Sequence, residues 1–250
     1  MVVLQDGSVW TTGRNQLGQL GTGSTKNGKS FKNVIASGAK AASAGGDHSM
    51  VMKQDGSVWS AGSNAKGQLG DRSYTDRTSF VRVVFSQSTG ISAGTSHSMV
   101  LKRDGSVWVT GWNYYGQLGD GSNNDRSIFI QVISSGAKAM AAGRHHSMVL
   151  MRDGGVLVTG RNNYGQLGDS SLTNKNRFTR VMSAGGIAVS AGMDHSVILK
   201  RDGSAWATGG NYYGQLGDGS TITRISFVRV ARFSDIPIHG AVGEREDVRV

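Results

Sequence analysis

Three features of the sequence predict an all-β fold, specifically a β-propeller of four-stranded blades. They are a fixed 49-residue repeat, 38 glycines in 250 residues, and Asp-Gly pairs set between alternating apolar runs. The repeat is read from pairs beginning at Asp6, Asp55, Asp104, Asp153 and Asp202, each 49 residues after the one before. Phe31, Phe80, Phe129, Phe178 and Phe227 keep the same step, as do His48, His97, His146 and His195. Trp10, Trp59, Trp108 and Trp206 form a further column, with Leu157 in the fourth place. A unit of this length buries its apolar face only against its neighbours, so a radial or stacked assembly is expected. The glycine share is about twice the usual ~7%, yet there is a single proline, which fits a turn-rich β protein and not a low-complexity tail.

Each element follows from local pattern. Ser98–Arg103 and Ser106–Thr110 alternate apolar and polar residues around Asp104-Gly105, a pair that favours a tight hairpin because type I′ turns need positive φ. A third strand is expected over Phe129–Val132 and a fourth over Ala139–Ala142. The alanine and glycine content of the fourth suits the innermost position, where blades converge on the axis. No stretch carries a 3.6-residue apolar period over three turns. Met1 falls in the column of Met50, Met99 and Met148, so the chain begins at the second strand of a blade. Repeats are assigned to residues 1–233 and a divergent tail to 234–250, which holds the only proline and the only two glutamates. Two readings of the tail stay open: it supplies the inner strand missing from the N-terminal blade and closes a five-bladed ring, or the chain is part of a larger propeller.

Composition excludes several functions. The absence of cysteine removes disulfide scaffolds, cysteine-ligated zinc and thiol nucleophiles together. No apolar run approaches the ~18 residues that span a bilayer, and the N-terminus lacks a signal-peptide pattern. An intracellular protein, cytoplasmic or nuclear, with no membrane partner is expected.

The ordered motifs Ala-Gly-x-x-His-Ser, Asp-Gly-Ser-Val-Trp and Asn-x-x-Gly-Gln-Leu-Gly, the last at Asn15, Asn64, Asn113, Asn162 and Asn211, resemble the regulator-of-chromosome-condensation repeat family over nearly the whole chain. The resemblance implies a propeller of about seven blades, whereas five copies occur here. It also brings nucleotide exchange on a small GTPase, which the founding member performs with an inserted β-wedge. The unbroken 49-residue spacing leaves no room for that wedge. Family members that use tryptophan in the segment before the histidine are not matched either, since Gly46-Asp47, Thr95-Ser96, Arg144-His145 and Met193-Asp194 stand there.

Catalytic chemistry finds little support. The four periodic histidines lie on a ring too wide for one metal ion, and each is expected to hydrogen-bond its own blade's backbone. His145 and His239 fall outside that column, and the sequence sets no acidic partner beside His145. The segment Asp120–Asp125 alternates oxygen ligands but lacks the glycine and closing glutamate of a calcium loop, so it reads as a polar turn. No nucleophile elbow, phosphate loop or carboxylate pair is present. No enzyme, cofactor or metal is expected.

Surface chemistry offers two candidate faces. Lys53, Lys102, Arg103, Arg152, Lys200 and Arg201 precede the Asp-Gly turns, which alternation of strand direction gathers at one end of the blades. Up to residue 233 there are 25 Lys and Arg against 13 Asp, so this end could attract phosphate backbones or acidic proteins. The opposite end carries tyrosines. Tyr115, Tyr164 and Tyr213 are expected between adjacent blades, leaving Tyr114 and Tyr212 as interface residues. The reading is a non-catalytic protein-interaction scaffold, with nucleic-acid or chromatin binding through the basic end, or exchange on a small GTPase, as alternatives.

Overall fold

A computed structural model describes residues 1–84 and 86–232. Five antiparallel sheets follow one another along the chain. The first has three strands, β1 (Val2–Val3), β2 (Val9–Gly13) and β3 (Gly28–Ile35). The second is β4 (Ala39–Ala44), β5 (His48–Lys53), β6 (Val58–Gly62) and β7 (Arg77–Val84), and the third β8 (Ser88–Ala93), β9 (His97–Lys102), β10 (Val107–Gly111) and β11 (Arg126–Ile133). The fourth is β12 (Ala137–Ala142), β13 (His146–Met151), β14 (Val156–Gly160) and β15 (Lys175–Met182). The fifth is β16 (Gly186–Ala191), β17 (His195–Lys200), β18 (Ser204–Gly209) and β19 (Arg224–Arg232). Each sheet is a meander in chain order, and no helix of the protein is long and apolar enough to cross a membrane, among the described residues.

The all-β blades and the start of the chain at a second strand are as expected. The blade boundary differs from the sequence phase. Ala139–Ala142, expected as the fourth strand of its own copy, lies in β12, the first strand of the following sheet, where it pairs with β13. Its innermost position stands, because β4, β8, β12 and β16 touch one another in succession. Small residues here let neighbouring backbones approach. The tail, its boundary at residue 233 and the two readings of its role lie outside the described residues.

The Asp-Gly hairpin is tight, but its turn is not type I′. Gly105 has φ +80° while Asp104 stays at negative φ. The amide of Gly105 donates to the carbonyl of Lys102 (3.0 Å), and that of Lys102 to the carbonyl of Ser106 (2.9 Å). This is a three-residue loop with a glycine bulge. Asp104 is selected by its side chain instead of by left-handed backbone, since Oδ1 accepts the amide of Ser106 at 2.8 Å.

The core lies between sheets. Met99, Leu101, Val107, Val109 and Leu118 of the third sheet meet Ala137, Val149, Leu157 and Phe178 of the fourth. The Gly-Gln-Leu-Gly segment explains the register of this contact. Leu118 is fully buried, and Gly119 (φ +69°) lies so close to the Phe178 ring that a Cβ there would stand 2.5 Å from it. The same glycine-on-phenylalanine contact joins Gly70 to Phe129 and Gly168 to Phe227. At the two ends the halves are unmated: Phe31 is 53% exposed, and no described residue comes within 4 Å of a Cβ on Gly217.

Histidines add a polar seam. Nε2 of His48, His97 and His146 meets Oγ of Ser98, Ser147 and Ser196 at 2.8, 3.0 and 2.9 Å, each serine belonging to the next sheet. The expected bond to the histidine's own blade is therefore replaced by a bond between blades. Each serine donates its single proton to a glutamine carbonyl, Gln68, Gln117 or Gln166, at 2.6–2.7 Å. The serine oxygen must then accept from Nε2–H, which fixes the tautomer. Nδ1 of all three rings is buried without a partner.

Candidate protein-interaction face

The segment after each third strand is built on an asparagine hub. Asn113 Oδ1 accepts the amide of Leu118 (2.9 Å), while Nδ2 donates to Asp120 (3.0 Å) and to the Ser122 carbonyl (3.0 Å). Asp120 also pairs with Arg126 at 2.6 Å and accepts from Ser122. These donors hold its carboxyl below the usual range against the opposing effect of burial. The Asp120–Asp125 segment is thus a closed polar turn whose carboxylate oxygens are taken by protein donors. Because the hub is rigid, the residues between Asn and Gly are displayed at a fixed end of the blade.

Those residues form an aromatic rim that is not periodic. Trp112 stacks on Tyr114 (centroids 6.1 Å, planes 16° apart) and meets Tyr115 and His145 edge-on at 5.5 and 4.9 Å. Tyr114 is 66% exposed and packs edge-on against half-buried Tyr115. His145 is 8% exposed, and burial together with Arg144 and Arg161 pushes its pKa down to about 4, so it is neutral at physiological pH. The Arg161 guanidinium lies 5.4 Å from the Tyr115 ring and 5.3 Å from Tyr164, and 3.5 Å from the Asp194 carboxylate.

Trp112, His145, Arg161 and Asp194 were not singled out as site residues from the sequence, although a signal for them exists. One slot between neighbouring blades is filled by residues 33 apart: Arg14 with Asp47 (3.2 Å), Trp112 with His145, and Arg161 with Asp194. Ser63 and Ser96 hold the same two places in the sequence. Columns that vary in a repeat otherwise kept constant are where surface chemistry has changed while the scaffold stayed.

Tyr212 lies at the same end, 78% exposed and edge-on to Tyr213 at 4.9 Å. It is not brought next to Tyr114; each sits on its own blade. The expectation that the Tyr115 column packs between blades holds for Tyr115 but not throughout. Tyr164 is 44% and Tyr213 86% exposed, the latter because no described blade follows the fifth sheet.

The opposite end carries the cations. Arg103, Arg152 and Arg201 are exposed at the hairpin tips. Lys53, Lys102 and Lys200 are drawn partly in, their ammonium groups 4.6, 5.8 and 3.8 Å from the rings of Trp59, Trp108 and Trp206. Each indole Nε1–H donates to a serine two residues earlier, Ser57, Ser106 or Ser204. In the fourth sheet all three partners change together, to Met151, Gly155 and Leu157, and Arg180 occupies the space of the missing serine side chain. The six cations therefore share one end but not one environment.

Meandering four-stranded sheets whose inner strands touch in succession define a β-propeller-type repeat protein. The chain matches the RCC1-like domain family over residues 1–244, and it belongs to that family. Among solved structures it is similar to human WBSCR16 (TM-score 0.79, 20% identity, 89% of this chain and 62% of that one). It is also similar to yeast RCC1 (Prp20) in complex with Kap60 (0.79, 19%, 91% and 58%). A further match is Prp20p from Saccharomyces cerevisiae, studied for its binding to Gsp1p and histones (0.77, 21%, 91% and 59%). The chain spans about three fifths of the length of these proteins. No curated protein sequence matches it.

Proposed function

We propose that the protein is a non-catalytic interaction scaffold that docks a protein partner on the aromatic rim. The observation that carries this reading is the Trp112–Tyr114–Tyr115 cluster, in which an exposed ring is braced by two others on a rigid loop. Braced aromatics lose little conformational entropy on binding, the property shared by interface anchors. His145, edge-on to Trp112, is held neutral with its Nδ1 buried and unpartnered, so it serves as packing for the cluster. Tyr114→Ala combined with Tyr212→Ala should weaken saturable binding of a purified partner by at least about tenfold, measured by calorimetry, as expected for interface hot spots. Binding unchanged in the double variant would remove the rim from the interaction.

A second reading is favoured by the exposed Arg103, Arg152 and Arg201, which with Lys53, Lys102 and Lys200 would hold nucleic acid or chromatin. Prp20p has been studied for binding to histones and to Gsp1p, so chromatin and a small GTPase are the partners that relatives suggest. This reading predicts DNA affinity that falls steeply with salt and weakens on Lys102→Ala, Arg103→Ala and Arg201→Ala, read by fluorescence anisotropy. Salt-independent binding, or none at low ionic strength, would exclude it. Exchange activity would show as faster GDP release from the GTPase tested.

A further inference from the structure

We infer that a cleft between the third and fourth sheets is a receptor for a carboxylate side chain, aspartate or glutamate, of a protein partner. The cleft has a volume of about 370 Å³ and is lined by Tyr115 from the third sheet's loop and by Asn174, Lys175, Asn176 and Arg177 from the fourth. Asn123, which also lines it, donates to the carbonyl of Tyr114 at 2.9 Å, so the cleft adjoins the aromatic cluster. Among the described residues no carboxylate lines it.

The repeat shows what this place holds one interface earlier. At a 49-residue step back, Tyr115 and Asn174 become Lys66 and Asp125, whose ammonium and carboxylate pair across the blades at 3.5 Å. Here both charges are gone and a different one has entered. Arg177 stands in a column that otherwise reads Ser30, Ser79, Ile128 and Ser226. Among the described residues its guanidinium makes no ion pair or hydrogen bond, whereas Lys175 is already neutralised by Asp169 at 3.2 Å. The cleft therefore carries one uncompensated positive charge, which balances a carboxylate and falls short of a phosphate dianion.

Two local features hold the donors in place. The Arg177 side chain lies over Gly121, so close that a Cβ there would stand 2.6 Å from Cζ, and the glycine leaves the guanidinium its room. Asn174 keeps the structural task of its column. Its Oδ1 accepts the amide of Asn162 at 2.8 Å, as Asp76 and Asp125 accept those of Asn64 and Asn113 at 2.7 and 2.9 Å. Nδ2 is thereby left without a partner among the described residues, a donor where Asp76 and Asp125 carry a second acceptor oxygen. A planar guanidinium fork and an amide N–H lining one cleft are the donors that a carboxylate takes.

This inference rests on reading the rim as partner-binding, and it names the partner's chemistry beside the tyrosines. The test titrates the full chain with N-acetyl-aspartate methylamide at low ionic strength, following the side-chain N–H resonances of Arg177 and Asn174 by NMR. Saturable shifts are expected, at least about tenfold weaker for the neutral N-acetyl-asparagine methylamide at matched salt and in Arg177→Met, read at Asn174. Asn174→Asp, read at Arg177, should weaken them as much, and it keeps the fold because aspartate already fills this position in two other blades. Absence of saturable shifts in the native chain, equal binding of the asparagine control, or shifts unchanged in either variant would overturn the inference. Binding of N-acetyl-phosphoserine methylamide tenfold or more tighter than the aspartate probe would assign the cleft to a phosphoryl group and overturn it too. Shifts appearing only in a Glu244→Gln, Glu246→Gln, Asp247→Asn variant would give the cleft to the chain's own acids, with the same result. Failure of the probe alongside Tyr114-dependent partner binding would leave the scaffold reading standing, whereas loss of that binding with the probe still bound would do the reverse.

Discussion

Phe129→Ala should lower the free energy of unfolding by about 3 kcal/mol, while the same change at Phe31 costs less than about 1 kcal/mol. Both residues occupy one column of the repeat, so sequence position alone would assign them equal weight. The difference is in what they touch. Phe129 packs against Gly70 of the preceding sheet and joins the cluster of Met50, Met52, Val58, Val84 and Val100. Phe31 belongs to the first sheet and is 53% exposed. In a repeat array stability is largely a sum over nearest-neighbour interfaces, and deleting Phe129 opens a cavity at one of them. The converse holds on the glycine side. Gly119→Ala must displace the Phe178 ring as well as adopt φ +69°, whereas Gly217→Ala meets only backbone strain from the described residues. Urea denaturation of the four variants measures this directly. Equal losses for Phe129→Ala and Phe31→Ala would mean that the interfaces are not the units of stability.

These contrasts show why the fold was legible in the sequence and the site was only partly so. Periodic columns report contacts made in every blade: Leu118 in the core, Asn113 as the loop hub, and Gly119 against phenylalanine all repeat. A column cannot say whether its partner is on the same blade or the next, because both choices keep the 49-residue step. The histidines were misassigned for that reason, since His97 reaches Ser147 across the interface. The Asp-Gly turn was misread because two different loops use the same dipeptide, and the distinguishing fact is the sign of φ at Asp104. Tyr114 and Tyr212 stand out in the sequence as departures beside a loop repeated in every blade, but Trp112 with His145 and Arg161 with Asp194 required knowing that residues 33 apart share a slot. The sequence contains that offset only as two variable columns, and nothing before the structure pairs them.

The histidine seam has a consequence for pH. Burial pushes His48 down to about 4 and His97 and His146 to about 3 from an ordinary value near 6.5. Protonation would place a second N–H on each Nδ1, where no described acceptor lies, and would charge a fully buried ring. Below pH 6.5 the unfolded chain therefore binds protons that the folded chain refuses. The stability contributed by neutral histidine is complete above about pH 6.5 and is lost as pH falls toward the folded values. At pH 5 the loss is about 2 kcal/mol for each of the three, from 1.36 kcal/mol per pKa unit, which together rivals the total stability of an ordinary domain. Asp71, Asp120 and Asp169, whose carboxyls are held below the usual value, stay charged between pH 7 and pH 5 and leave this window to the histidines. The urea midpoint should accordingly drop steeply between pH 7 and pH 5, and His97→Gln, which retains a donor toward Ser147, should remove about a quarter of the slope, since His145 is held down as well and titrates in the same window. A midpoint that is flat across this range would show that the rings are solvated, or that the seam is not formed between blades.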